Sequence, residues 1–125
     1  MTVGYIDGPA LVASLSPGPV GDRVAAVWSS FDATCTSHFT EVEVPSQIGR
    51  QLDRVAWVWA INSLAIVTVS DEVQRAAVDL AWLGAPPNIA FHIAAALTTE
   101  VDHFVTVDDA SASWAEMHGL NVIKL

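Results

Sequence analysis

An α/β fold with a mainly parallel central sheet and helices on both faces is predicted by three observations. Short apolar runs of strand character alternate with longer stretches of helical spacing, the punctuation between them is brief, and no linker interrupts the series. Strands separated by helices run parallel, so their carboxyl ends share one edge.

The elements follow in order. "VGYI" is a strand, "PALVASLS" a short helix and "SPGP" a Pro/Gly turn. "VGDRVAAVWSSF" is amphipathic and helical, "ATCT" a short strand. "SHFTEVEV" is a helix with Ser37 at its N-cap and Glu41 near its first turn. Pro45 lies inside this pattern and removes a backbone hydrogen bond, which predicts a kink or a restart before "SQIGRQL". "DRVAWVWAINS" continues as helix and "LAIVTV" is an apolar strand. "SDEVQRAAVDLAWLG" opens on Ser70 and Asp71 and closes on Gly84, the clearest helix in the chain. After "APP" come the helix "NIAFHIAAALTTE", the strand "HFVTV", the helix "DASASWAEMHG" ended by Gly119, and the strand "NVIKL". No period of roughly 20 to 50 residues recurs, which excludes a repeat array.

At 125 residues the chain is sized for one domain, spanning 1–125. Its hydrophobic content of 52% against 15% charged residues predicts a heavily covered sheet, a partner surface, or both. The longest apolar run, "VAWVWAINSLAIVTV", is broken by Asn62 and Ser63 and falls short of the ~20 residues a membrane span needs. No basic segment precedes an apolar run at the N-terminus, and the lone Cys35 has no internal disulfide partner. A cytoplasmic protein without a membrane span is therefore expected. Fourteen acidic residues against five basic ones give a net charge of −9, which repels polyanions, so any nucleic-acid role needs metal cations. Most of these acids serve solubility.

Two strands end on an acid: Asp7 after "GYI", and Asp108 with Asp109 after "HFVTV". In an open α/β sheet ligands bind outside the carboxyl ends of the strands, which makes Asp7 the first candidate for function. If its strand lies beside that of Asp108, the two carboxylates converge. Glu43 on "FTEVEV" can join them, whereas Glu41, about 200° around the helix, cannot face the same pocket.

"YIDGPALV", "FTEVEVPSQIGR", "IAFHIAAAL" and "FVTVDDASASWAEMHGLNVIKL", in that order, resemble PIN-domain ribonucleases, especially the VapC toxin of VapBC toxin–antitoxin pairs. The resemblance implies a three-layer α/β/α sandwich and an acidic cluster at the strand ends that holds Mg²⁺ or Mn²⁺ for cleaving RNA. It carries over Asp7 as the first-strand acid, Glu43 as the helix acid and Asp108 as the acid after "VTV". It also implies an antitoxin partner and a homodimer.

The chain departs from that pattern in two places. Where the family has an acid three residues before the helix histidine, Ile89 precedes His92, and Gly8 follows Asp7 where a hydroxyl residue is common. Asn88 offers a neutral oxygen beside the missing acid, but about 100° around the helix. Asp109 is a reserve ligand if its loop turns inward, or else an N-cap. Mg²⁺ needs only one or two protein carboxylates, so a single ion on Asp7 and Asp108 remains feasible.

Other residues carry plainer readings. His92, on an apolar helix, reads as a hydrogen-bonded core histidine rather than a base. His38, His103 and His118 lack zinc spacing, Cys35 reads as a small buried hydrophobe, and no nucleophile elbow or phosphate-binding glycine loop occurs. Arg50 and Arg54, four apart, can meet an RNA phosphate or simply form a solvated face. Trp57 and Trp59 cannot share a helix face, so one is exposed unless a partner covers it. Two functions follow: a metal-dependent endoribonuclease in which Asp7 and Asp108 bind the ion and Glu43 assists, or a catalytically weak or inactive module of the same fold that acts through antitoxin binding or self-association.

Overall fold

The computed structural model describes residues 1–125 as five strands and seven α-helices. The strands are β1 (Val3–Ile6), β2 (Ala33–Ser37), β3 (Ala65–Val67), β4 (His103–Thr106) and β5 (Val122–Lys124). The helices are α1 (Gly8–Ser14), α2 (Pro19–Ser30), α3 (His38–Ile48), α4 (Arg54–Asn62), α5 (Asp71–Trp82), α6 (Pro87–Thr99) and α7 (Asp109–Met117). Every strand pair is parallel, in the order β3-β2-β1-β4-β5. The predicted α/β class and layered sandwich are thus what the chain forms. No helix is long and apolar enough to cross a membrane.

Strand alternation divides the core in two. Tyr5, Cys35 and Phe104 point to one face and pack with Val73, Ala77 and Leu80 of α5, Ile89 and Ile93 of α6 and Ala115 of α7. Ile6 and Val105 point to the other, against Ala10 and Leu11 of α1, Val24 of α2, Val44 of α3 and Ala60 of α4. Gly4 shares that second face, where a Cβ would stand 2.2 Å from the Phe31 ring. Cys35 is a buried core residue, as read from the sequence.

Two local expectations are corrected and one, the Ser37 cap, holds in position only. Pro45 neither kinks nor restarts the chain: α3 runs unbroken through it to Ile48, and a 3₁₀ turn (Gly49–Gln51) follows. The carbonyl freed by proline's missing N–H belongs to Glu41, which is exposed, so water can satisfy it. Ser37 occupies the N-cap position of α3, but its hydroxyl makes no capping bond. Finally, β3 covers only Ala65–Val67 of the "LAIVTV" run, because only those residues pair with β2. Of the α4 tryptophans, Trp57 packs partly into the core and Trp59 is 72% exposed.

Candidate functional site

The central strand β1 ends between β2 and β4, and its register fixes what meets there. Tyr5 lies opposite Phe104 and Ile6 opposite Val105, and the Asp7 N–H donates to the Val105 carbonyl at 3.2 Å. Asp7 therefore stands at the carboxyl edge beside Thr106, with Asp108 just beyond it on the same edge. The convergence expected from the sequence requires β1 and β4 to be neighbours, and they are.

Asp7 is the N-cap of α1: its Oδ1 accepts the Ala10 N–H at 2.9 Å. It is 1% exposed, and no Lys or Arg pairs with it. Burial pushes its carboxyl up to about 6, while the nearby His92, the Thr106 hydroxyl and the Ala10 N–H pull it back and Glu43 pushes it further up. A buried acid beside a second acid, at the edge where α/β sheets bind ligands, has the character of a functional site.

Glu43 reaches the site because α3 is tied to the sheet one turn earlier. The Thr36 hydroxyl donates to the Ile6 carbonyl at 2.7 Å and lies 2.7 Å from the Thr40 hydroxyl, and Thr40 and Glu43, three apart, share the inward helix face. Glu43 Oε1 lies 2.7 Å from His92 Nε2, and His92 Nδ1 lies 2.7 Å from the Tyr5 hydroxyl. All three side chains are buried. His92 is indeed a hydrogen-bonded interior histidine, but it is anchored to a site residue.

Asp108 is half-buried and caps α7: its Oδ2 accepts both the N–H and the hydroxyl of Ser111, each at 2.8 Å, which leaves Oδ1 free. Its own N–H donates to Thr106 Oγ1 at 3.1 Å, and the strand register sets Thr106 beside Asp7. Asp109 is neither the cap nor turned inward. Its side chain is 92% exposed and pairs with Lys124 Nζ at 3.0 Å. Asn88 lies half-buried in the first turn of α6 and makes no hydrogen bond to the acids. Ile89, where the sequence resemblance leads one to expect an acid, is buried among core side chains. Glu43 is turned onto His92 and Asp108 onto Ser111, and no three His, Cys, Asp or Glu side chains close on one point to form a complete metal cage. The donor set suits one hard cation that keeps most of its water, since Mg²⁺ takes one or two carboxylates and fills the remaining positions with water or phosphate.

Sequence reasoning missed Tyr5 and Thr106 as parts of this site. Both carried a signal: Tyr5 is two residues before Asp7 and Thr106 two before Asp108, so each shares its acid's side of the sheet.

No protein-family model matches the chain, and no curated protein matches it. Solved structures do share its fold. A chain of a toxin–antitoxin complex from Klebsiella pneumoniae superposes with a TM-score of 0.78 at 15% identity, covering 97% of this chain and 96% of that one. A chain of VapBC2 from Rickettsia felis, bound to a DNA fragment from their promoter, gives 0.74 at 10% identity, with 99% of each chain covered. A chain of FitAcB from Neisseria gonorrhoeae gives 0.68 at 15% identity, over 97% of this chain and 96% of that one. The fold of this chain is that of components of toxin–antitoxin complexes, end to end.

Proposed function

We propose that this chain is the toxin-like member of a toxin–antitoxin pair, a metal-dependent endoribonuclease that hydrolyses RNA phosphodiester bonds with Mg²⁺ or Mn²⁺. The observation that supports this reading is Asp7: a carboxylate buried at the central strand end, with Glu43 of α3 near it, Asp108 on the same sheet edge, and no Lys or Arg paired with it. A buried acid in that state is stabilised by a cation, and the excess of negative charge across the molecule makes a cation necessary before a polyanion can approach.

Asp7 and Asp108 are the residues that would hold the ion, and the Asp108 Oδ1 that Ser111 leaves free is available for it. A bound Mg²⁺ or Mn²⁺ supplies Lewis-acid polarisation of the phosphodiester and a more acidic water. Glu43, fixed by His92, would bind the ion or orient that water. Ser111 and Ala10 keep the two carboxylates from rotating, so their placement does not depend on the ion. An antitoxin chain and a second copy of this chain are the partners that fit the exposed apolar side chains, among them Trp59 of α4 on one side of the sheet and Trp82 of α5 on the other.

A second reading is favoured by Ile89. An apolar residue fills the place of the third acid, which suits a catalytically weak or inactive module that retains only its protein partners. Incubating single-stranded RNA with the protein in Mn²⁺ separates the two. The nuclease reading expects cleavage that disappears in Asp7→Asn. No cleavage by the wild type in either metal, together with a stable antitoxin complex, supports the inactive module instead.

A further inference from the structure

Tyr5 of β1, Gly8 of α1, Glu43 of α3 and His92 of α6 meet beside Asp7. Burial raises the Tyr5 phenol far above its ordinary value, so the phenol stays protonated and serves as a donor. The Tyr5 hydroxyl lies 2.7 Å from His92 Nδ1, and because a carboxylate only accepts, His92 Nε2–H donates to Glu43 Oε1. The ring is held at both nitrogens, and by Phe39 packed edge-on at 5.8 Å between centroids. Gly8 completes the arrangement by being small. A Cβ there would stand 1.6 Å from Glu43 Oε1 and 2.3 Å from its carboxyl carbon, so the carboxylate occupies the space any larger residue would fill.

Such an arrangement is a poor way to hold a fold together. A buried acid–imidazole pair recovers its desolvation only with good geometry, and an apolar pair of the same volume is often as stable or more so. This one also keeps a second carboxylate near Asp7, where the two repel. With Ile89 supplying no acid, Glu43 is the carboxylate that α3 and α6 together deliver to Asp7. We infer that His92, oriented by Tyr5, is a positioning residue that holds the Glu43 carboxylate in the space left by Gly8, as the second carboxylate of a cation site begun by Asp7. This rests on the metal-dependent reading above and assigns to His92 and Tyr5 a role in it. Hydrogen-bonding partners of ligating carboxylates commonly tune affinity by about 10–100-fold.

Calorimetric titration of the full chain with MnCl₂ tests the inference without reference to activity. His92→Phe, which removes the donor, is expected to weaken Mn²⁺ binding by about tenfold or more. His92→Gln, whose amide N–H can still reach Glu43, is expected to recover most of that loss, and Tyr5→Phe to weaken binding about threefold to tenfold. If His92→Phe fails to fold, as judged by circular dichroism, Tyr5→Phe and His92→Gln carry the comparison. Wild-type affinity in His92→Phe or Tyr5→Phe overturns the positioning role while leaving the cation site standing. No Mn²⁺ binding by the wild type, or equal binding by Asp7→Asn, overturns the cation reading itself and this inference with it.

Discussion

Glu43 Oε1 lies 2.7 Å from His92 Nε2 with both side chains almost fully removed from water, and the pair joins α3 to α6. The ion pair of Lys124 with Asp109 at 3.0 Å is, by contrast, solvent-exposed. The contrast decides what each can do. In water the attraction is screened and worth little, whereas in the interior the loss of one partner strands the other. The electrostatics that matter are therefore concentrated around Asp7, Glu43 and His92.

Asp7 should make the metal-free protein less stable at neutral pH. Its folded-state carboxyl is raised from 3.8 to about 6, so between those values the native chain keeps a proton that the unfolded chain has released, and stability falls as pH rises through that window. Above about pH 6 ionised Asp7 opposes folding by roughly 3 kcal/mol. Asp7→Asn removes the charge and keeps an N-cap acceptor for Ala10. Urea denaturation should find the variant more stable than wild type at pH 7.5, with the difference closing near pH 4. A difference independent of pH would show that the gain does not come from this carboxylate.

Gly8 and Glu43 should be energetically coupled. Gly8→Ala places a methyl where Glu43 Oε1 sits, a clash expected to destabilise by about 1–3 kcal/mol. In a Glu43→Ala background the obstacle is gone and the same substitution should be close to neutral. A double-mutant cycle in urea is expected to show a coupling of about 1 kcal/mol or more. Additive effects would mean that another neighbour, not the Glu43 carboxylate, restricts position 8.

Asp109→Ala should change neither the melting temperature nor Mn²⁺ affinity measurably, because its carboxylate points to solvent and meets only Lys124. Asp108→Ala, by contrast, removes both bonds to Ser111 and the N-cap of α7, and should destabilise by about 1 kcal/mol. Paired thermal melts with and without Mn²⁺ check both. Weaker metal binding in Asp109→Ala would show that the loop turns inward when the ion is present.

The alternation of elements and the acids at strand ends were legible in the sequence because parallel topology follows from chain order, and register then places Asp7 beside Thr106. Pro45 reads as a kink because the exposure of Glu41, whose carbonyl it frees, is a fact of tertiary position. Asp108 and Asp109 are adjacent acids, and only the backbone entering α7 decides which one caps and which one faces Lys124. The tie from Glu43 to His92 spans 49 residues, and no local pattern announces it. Gly8 was visible as a departure, but its meaning appears only once Glu43 is seen occupying the space beside it.

Ile89→Asp separates a site that has lost an acid from one rebuilt without it. Ile89 is 5% exposed among apolar side chains, so an aspartate there forfeits core packing and buries a charge, and the metal-free variant should lose about 2–5 kcal/mol. If residue 89 faces the same cation as Asp7, Mn²⁺ restores part of that loss, and the melting-temperature rise on adding Mn²⁺ is larger in the variant than in the wild type. RNA cleavage should then increase as well. An equal or smaller Mn²⁺-induced rise would place residue 89 outside the reach of the ion, leaving Asp7, Glu43 and Asp108 as the complete acidic set.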